Sequence, residues 1–136
     1  MYDKILVPMA LNHGISPMTL KTARVLCNPG GSITALHVYE VPQGSVAAYL
    51  GENKVQEGMQ RAHAVLKEKT ADMEDVTAEI ARGHPYRTII DYAVKNDVGC
   101  IVIGSHMPGL SDYLLGSTAA RVVRHAPCAV HVHRDA

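Results

Sequence analysis

The 136-residue chain contains no phenylalanine and no tryptophan, so its hydrophobic core has to be assembled from aliphatic side chains. It also lacks an excess of either charge, with 13 Lys and Arg against 13 Asp and Glu. Overall charge therefore calls for neither a nucleic acid nor an anionic membrane, and any ligand must be held by local groups. No stretch approaches the ~20 apolar residues that a membrane helix needs. Met1-Tyr2-Asp3-Lys4 carries charge ahead of a short apolar run and is not read as a signal peptide. Cysteine is scarce: Cys27, Cys100 and Cys128 are an odd number, widely spaced, with no CxxC pair. That excludes the usual zinc and dithiol motifs and points to reduced thiols among apolar neighbours in a cytoplasmic protein.

Several ligand signatures are missing as well. There is no GxxxxGK followed by Ser or Thr, no GxGxxG after the first strand and no HExxH. A phosphoacceptor receiver would carry acids at the ends of strands 1 and 3, where this chain has Pro8-Met9-Ala10 and Arg82-Gly83-His84.

What is present is an alternation of short apolar runs with helical patterns. Lys4 to Pro8 is a continuous aliphatic run, as expected for a strand covered on both faces. Ser16-Pro17 opens a helix that Asn28-Pro29-Gly30-Gly31 is expected to stop, and Ile33 to Tyr39 is a second strand. After loop-like residues around Pro42 to Ser45 comes a long helix with Val55, Met59, Ala62 and Leu66 on one stripe. Val76 to Ala81 alternates like an edge strand, and Pro85 opens a helix running to Asn96-Asp97. Val98 to Ile103 is apolar enough to be central. A helix with Val122 and Val123 inward then ends at Pro127, before a last strand from Cys128 to His133. The whole chain, residues 1–136, reads as a single domain of the α/β class: an open, doubly wound, five-stranded parallel sheet in the order 3-2-1-4-5, with four helices. In such sheets a ligand sits beyond the carboxyl ends of the strands where the winding reverses, here between the segments after strand 1 and strand 4.

The segment after strand 4 reads GSHMPGLSDYLLGST, Gly104 to Thr118. It combines glycines, which admit a ligand close to the backbone, with Ser117 and Thr118 at a helix start, where backbone N–H groups and the dipole favour phosphate. Arg121, one turn further on, is a candidate for a terminal phosphate, against the plainer reading of a solvated side chain.

Lys-Ile-Leu-Val-Pro at the start, a strand with Leu-His-Val, then Gly-Ser-His, Leu-Leu-Gly-Ser and Val-Arg-His-Ala-Pro-Cys together resemble the universal stress protein family along nearly the whole chain. Many of its members bind ATP through the pattern G-x2-G-x9-G-(S/T). The resemblance implies an adenine-nucleotide alpha hydrolase-like fold and a pocket in which Pro8, Met9 and Val38 line the base. Gly104 would lie against the ribose or triphosphate, and Gly116, Ser117 and Thr118 would hold phosphates. Ser105, His106, Met107 and Ala10 complete the implied contact set. Met107 stands where the pattern has its second glycine, and Gly104 to Gly116 is one residue shorter than the pattern. Ala10 stands where nucleotide-binding members usually carry an aspartate. The SHxP and DYLLGS blocks look like a sub-group of the family with a remodelled loop.

The implied function is a dimeric, ATP-binding regulator of stress response with little or no turnover. Hydrolysis would want a positioned base and a metal carboxylate, and Asp112 is the only acid in the loop. Mg²⁺ can accompany the phosphates, but no dedicated metal ligand set is identifiable. A dimeric interaction module that has lost its nucleotide, and a weak ATPase, are the competing readings. His131 and His133 share a strand face at a metal-compatible spacing, with surface or interface packing the plainer account. The last strand, Cys128 to His133, leaves an edge that both its alternation and the resemblance assign to a homodimer.

Overall fold

The computed structural model describes residues 1–11, 17–41, 51–105 and 115–134. In chain order these residues form β1 (Tyr2–Pro8), α1 (Pro17–Leu26), β2 (Cys27–Tyr39), α2 (Glu52–Lys69), β3 (Val76–Arg82), α3 (Pro85–Lys95), β4 (Cys100–Gly104), α4 (Ser117–His125) and β5 (Ala129–His133). Every ladder is parallel and the sheet order is β3-β2-β1-β4-β5, as expected from the alternation of strand and helix patterns.

The sheet is covered on both faces, and side-chain alternation sorts the core into two layers. Ile5, Val7 and Val102 pack with Leu20 and Ala23 of α1 and Leu66 of α2. Leu6, Ile101 and Ile103 point the other way, to Ile89 and Ala93 of α3 and Ala119 and Val122 of α4. Helices α1 and α2 thus lie on one face, α3 and α4 on the other, and the winding reverses between β1 and β4. Burial on both faces is why β1 and β4 read as unbroken apolar runs. β3 alternates between half-buried and exposed residues, as an edge strand should.

Three details depart from the sequence reading. Asn28-Pro29-Gly30-Gly31 does not lie outside the sheet as a helix stop, because β2 begins already at Cys27. Tyr2 pairs with Cys27 and Lys4 with Ser32, so the four residues Asn28 to Gly31 bulge opposite Asp3 alone. Gly30 takes φ +81°, and a Cβ on Gly31 would sit 2.7 Å from the Asp3 carbonyl oxygen and 2.8 Å from Cys27 Sγ. Val123 is 45% exposed, whereas Val122 is fully buried, since a 100° step per residue lets only one of two neighbours face the core. On α2 the most buried positions are Val55, Gly58 and Leu66, with Met59 and Ala62 only half-buried; Tyr39 lies against Gly58, where a larger side chain would collide with its hydroxyl.

Candidate functional site

The two central strands separate at their carboxyl ends. β1 pairs with β4 only through Ile5 with Cys100 and Leu6 with Ile101. On its other side β1 stays with β2 as far as Pro8, and the Met9 N–H donates to the Leu36 carbonyl at 2.8 Å. β4 likewise stays with β5 through Gly104, and the Ser105 N–H donates to the His133 carbonyl at 2.9 Å. Each central strand therefore follows its outer neighbour, and the β1–β4 ladder ends early at the reversal of winding, where sheets of this class open a crevice.

On the β1 side, Pro8 is half-buried, Met9 is 5% exposed with its side chain in the α1-side core, and Ala10 is exposed. His37 holds this strand end. Its Nδ1–H donates to the Met9 carbonyl at 2.8 Å, which places the ring proton on Nδ1 because a carbonyl can only accept. The histidine of Leu-His-Val, which carried no assigned role in the sequence, thus anchors the wall of the crevice. Val38, half-buried, packs beside it against the α3–α4 layer.

On the β4 side, Gly104 is exposed, its φ lies outside the left-handed region, and among the described residues no atom lies within 4 Å of where its Cβ would be. Backbone strain does not account for glycine here, nor does packing against any of the described residues. Ser105 is buried, and its carbonyl accepts from the Gly116 N–H at 3.4 Å, joining β4 to the start of α4. Gly116 is the N-cap of α4 and supplies no side-chain cap, and the first turn contains no acid. Among the described residues nothing bonds the N–H groups of Ser117, Thr118 and Ala119, which stand at the positive end of the helix dipole. Ser117 is exposed and Thr118 half-buried. The structure brings Pro8, Met9, Ala10, Val38, Gly104, Ser105, Gly116, Ser117 and Thr118 to one end of the sheet. His106, Met107 and Asp112 lie outside the described residues, as does the expected cap Ser16.

Arg121 is engaged elsewhere. Its guanidinium lies 5.3 Å from the centre of the Tyr86 ring, which is also stacked with His125 at 5.7 Å and edge-on to His84 at 4.9 Å. The Arg87 Nε–H donates to the Tyr86 hydroxyl at 3.2 Å, and this bond, with the positive charges of Arg87 and Arg121, holds the phenol below its ordinary pKa. These residues tie α3 to α4. Cys100 is 1% exposed, and burial pushes its thiol and that of half-buried Cys128 above the usual range. A separate cavity of about 330 Å³ at the opposite end of the sheet, by the amino ends of β2 and β3, is lined by Cys27, Asn28, Gly31 and the exposed Arg24–Asp75 ion pair.

A parallel sheet wound in both directions, its order reversing between β1 and β4, defines a domain of the doubly wound α/β class. The chain belongs to the universal stress protein family, whose model matches residues 1–134. It is 27% identical to the universal stress protein of Methanothermobacter thermautotrophicus over 146 aligned residues, covering 98% of this chain and 97% of that protein. Among solved structures it resembles universal stress protein UspA from Lactobacillus plantarum, at 25% identity and a TM-score of 0.66, with 98% of each chain covered. A universal stress protein in complex with cAMP has the same fold, at 19% identity and a TM-score of 0.64, with 97% of each chain covered. The sheet is accordingly of the nucleotide alpha hydrolase-like fold.

Proposed function

We propose that this chain is a dimeric regulator of stress response that binds ATP in the crevice between β1 and β4, with little or no turnover. The observation that carries the reading is the parting of the two central strands beside Gly104, whose Cβ position meets no atom of the described residues. An adenine nucleotide fits the groups present. The main chain at Gly104 admits a sugar or phosphate, the uncapped start of α4 offers N–H donors to phosphate oxygens, and Pro8 and Val38 give the base an apolar wall. Met9 and Ala10 complete the base side, Ser105, His106 and Met107 the sugar side, and Gly116, Ser117 and Thr118 the phosphate side. Mg²⁺ accompanies the phosphates. The cAMP-bound relative of the same fold supports an adenine nucleotide as the class of ligand. Dimerisation through β5 closes the exposed edge of the sheet.

Calorimetric titration of the purified protein with ATP, ADP and AMP is the test. Saturable binding of ATP is expected, and it is expected to vanish in a Gly116→Val, Ser117→Ala double variant that keeps its circular dichroism. Absence of binding at about 1 mM ATP, an affinity worth only ~4 kcal/mol, overturns the reading.

A second reading has one observation in its favour. Ala10, exposed where the crevice opens, offers no hydrogen bond to a base or sugar. A dimeric interaction module without nucleotide would follow, and nucleotide retained through purification and released on denaturation would rule it out.

A further inference from the structure

The ladder between β1 and β2 stops one rung earlier than the direction of its backbone allows. Its last pair is Pro8 with Leu36, and the Met9 N–H still donates to the Leu36 carbonyl. In a parallel ladder, a residue that donates to one carbonyl of its neighbour accepts from the N–H two residues further along that neighbour. The Met9 carbonyl is therefore aimed at the Val38 N–H, yet no bond joins them and Met9 does not pair with His37. The carbonyl accepts from the His37 Nδ1–H instead, at 2.8 Å.

Val38 is left turned toward a strand it does not bond. The Tyr39 carbonyl accepts from the Gly83 N–H, so Tyr39 and His37 turn their main-chain groups to β3, while Leu36 and Val38, alternating with them, turn theirs to β1. Among the described residues nothing accepts from the Val38 N–H. A carbonyl has two lone pairs, so the missing bond does not come from a used-up acceptor but from where the ring holds the strand end. Met9 is only 5% exposed, and water is a poor substitute partner for its carbonyl. Without the ring, that carbonyl has the Val38 N–H as its nearest donor in the ladder, and the rung between Met9 and His37 closes.

We propose that His37 is a positioning residue of the nucleotide site, whose Nδ1–H holds the Met9 carbonyl off the ladder and keeps the seam between β1 and β2 open beside Pro8 and Val38. It acts through Met9 and touches no ligand itself. Closing the rung draws the strand end that carries Ala10 onto β2, across the wall assigned to the base, and apparent affinity falls with the fraction of chains still open. The inference rests on the proposed ATP site, and the seam is measured apart from it.

Hydrogen exchange at the Val38 amide in nucleotide-free protein reads the seam, and calorimetric titration with ATP reads the site. In the parent, the Val38 amide is expected to exchange far faster than that of Leu36, which lies within the ladder. In His37→Leu it is expected to slow at least about tenfold, and the ATP dissociation constant to rise at least about tenfold. His37→Asn carries an amide nitrogen at the δ position of the ring and is expected to recover fast exchange and most of the affinity. His37→Gln carries it one atom further out and is expected to recover neither, a contrast that serves where His37→Leu fails to fold by circular dichroism. His63→Leu, which removes a ring bonded to the Ala78 carbonyl, is expected to change neither readout. A Val38 amide protected in the parent, or one that stays equally fast in His37→Leu and His37→Gln, overturns the seam. Slowed exchange with unchanged ATP affinity overturns the positioning role and leaves the nucleotide site standing. A parent that binds no ATP overturns that site and the positioning role together, while the exchange result still decides the seam.

Discussion

Gly31 and Gly104 are glycine for opposite reasons. At Gly31 the space for a Cβ is taken by the Asp3 carbonyl oxygen and the Cys27 sulfur, both under 3 Å away, and the oxygen belongs to a backbone that cannot swing aside. Gly31→Ala is expected to destabilise the fold by about 1–3 kcal/mol, seen as a lower urea midpoint at unchanged slope. At Gly104 no atom of the described residues meets the Cβ position, so Gly104→Val is expected to leave the urea midpoint nearly in place and to weaken ATP binding at least about tenfold in a calorimetric titration. The open glycine was legible from its place after an apolar strand. The crowded one was not, because nothing local to Asn28-Pro29-Gly30-Gly31 reveals that Asp3 lies against it. Cys100 behaves as its apolar neighbours suggested. Burial disfavours its thiolate, so between the ordinary thiol pKa and the raised one the folded chain holds a proton that the unfolded chain has released. Its contribution to stability is whole below the ordinary thiol pKa and is lost as pH rises from there through the raised one. Native protein at pH 8 is expected to react with a thiol-specific disulfide at Cys100 far more slowly than urea-unfolded protein does.

Among the elements, α4 is where fold and ligand ask for different residues. Its first turn has no acid and Gly116 contributes no side-chain cap, an arrangement that weakens a helix of only nine residues. Thr118→Asp puts a carboxylate on the positive end of the dipole and is expected to stabilise the protein by about 0.3–1 kcal/mol in thermal unfolding. The same charge repels phosphate, so ATP affinity is expected to fall as stability rises. A helix start that merely lacks a good cap would gain stability with no loss of binding. Outside the site, Arg82 lowers the pKa of Glu52 chiefly through a hydrogen bond, and Arg24 does the same for Asp75. Both pairs are exposed and screened by solvent, so they add only a little to stability, and only above the ordinary carboxylate range. That contribution fades as the pH falls through the lowered pKa values, and raised ionic strength is expected to shrink it in acid unfolding curves. The helices and their order were legible from apolar spacing. Which of the adjacent Val122 and Val123 faces inward was not, since the answer depends on how α4 is turned against Ala93 and Ile89 of α3.

For the molecule as a whole, parallel topology followed from the repeated strand–helix alternation, and the position of the crevice followed from topology. The splaying of β1 from β4 did not, because it arises when β1 continues with β2, and β4 with β5, for longer than they continue with each other. The same sheet geometry makes the outer edge testable apart from the fold. At Val132 the outward N–H is not part of the ladder to β4, whereas at His133 the backbone is committed to Ser105. Val132→Pro therefore removes only the donor that would face a second copy, and edge strands tolerate proline where the lost N–H points away from the sheet. The variant is expected to lose about 1 kcal/mol through poorer packing against the α3–α4 layer and to remain folded by circular dichroism. In sedimentation it is expected to run as a monomer at concentrations where the parent is a dimer. Because the crevice between β1 and β4 lies within one chain, its ATP affinity is expected to match that of the parent. A Val132→Pro protein that still sediments as a dimer would place the interface on another surface. One that turned monomeric and lost ATP together would mean that the second copy completes the nucleotide site.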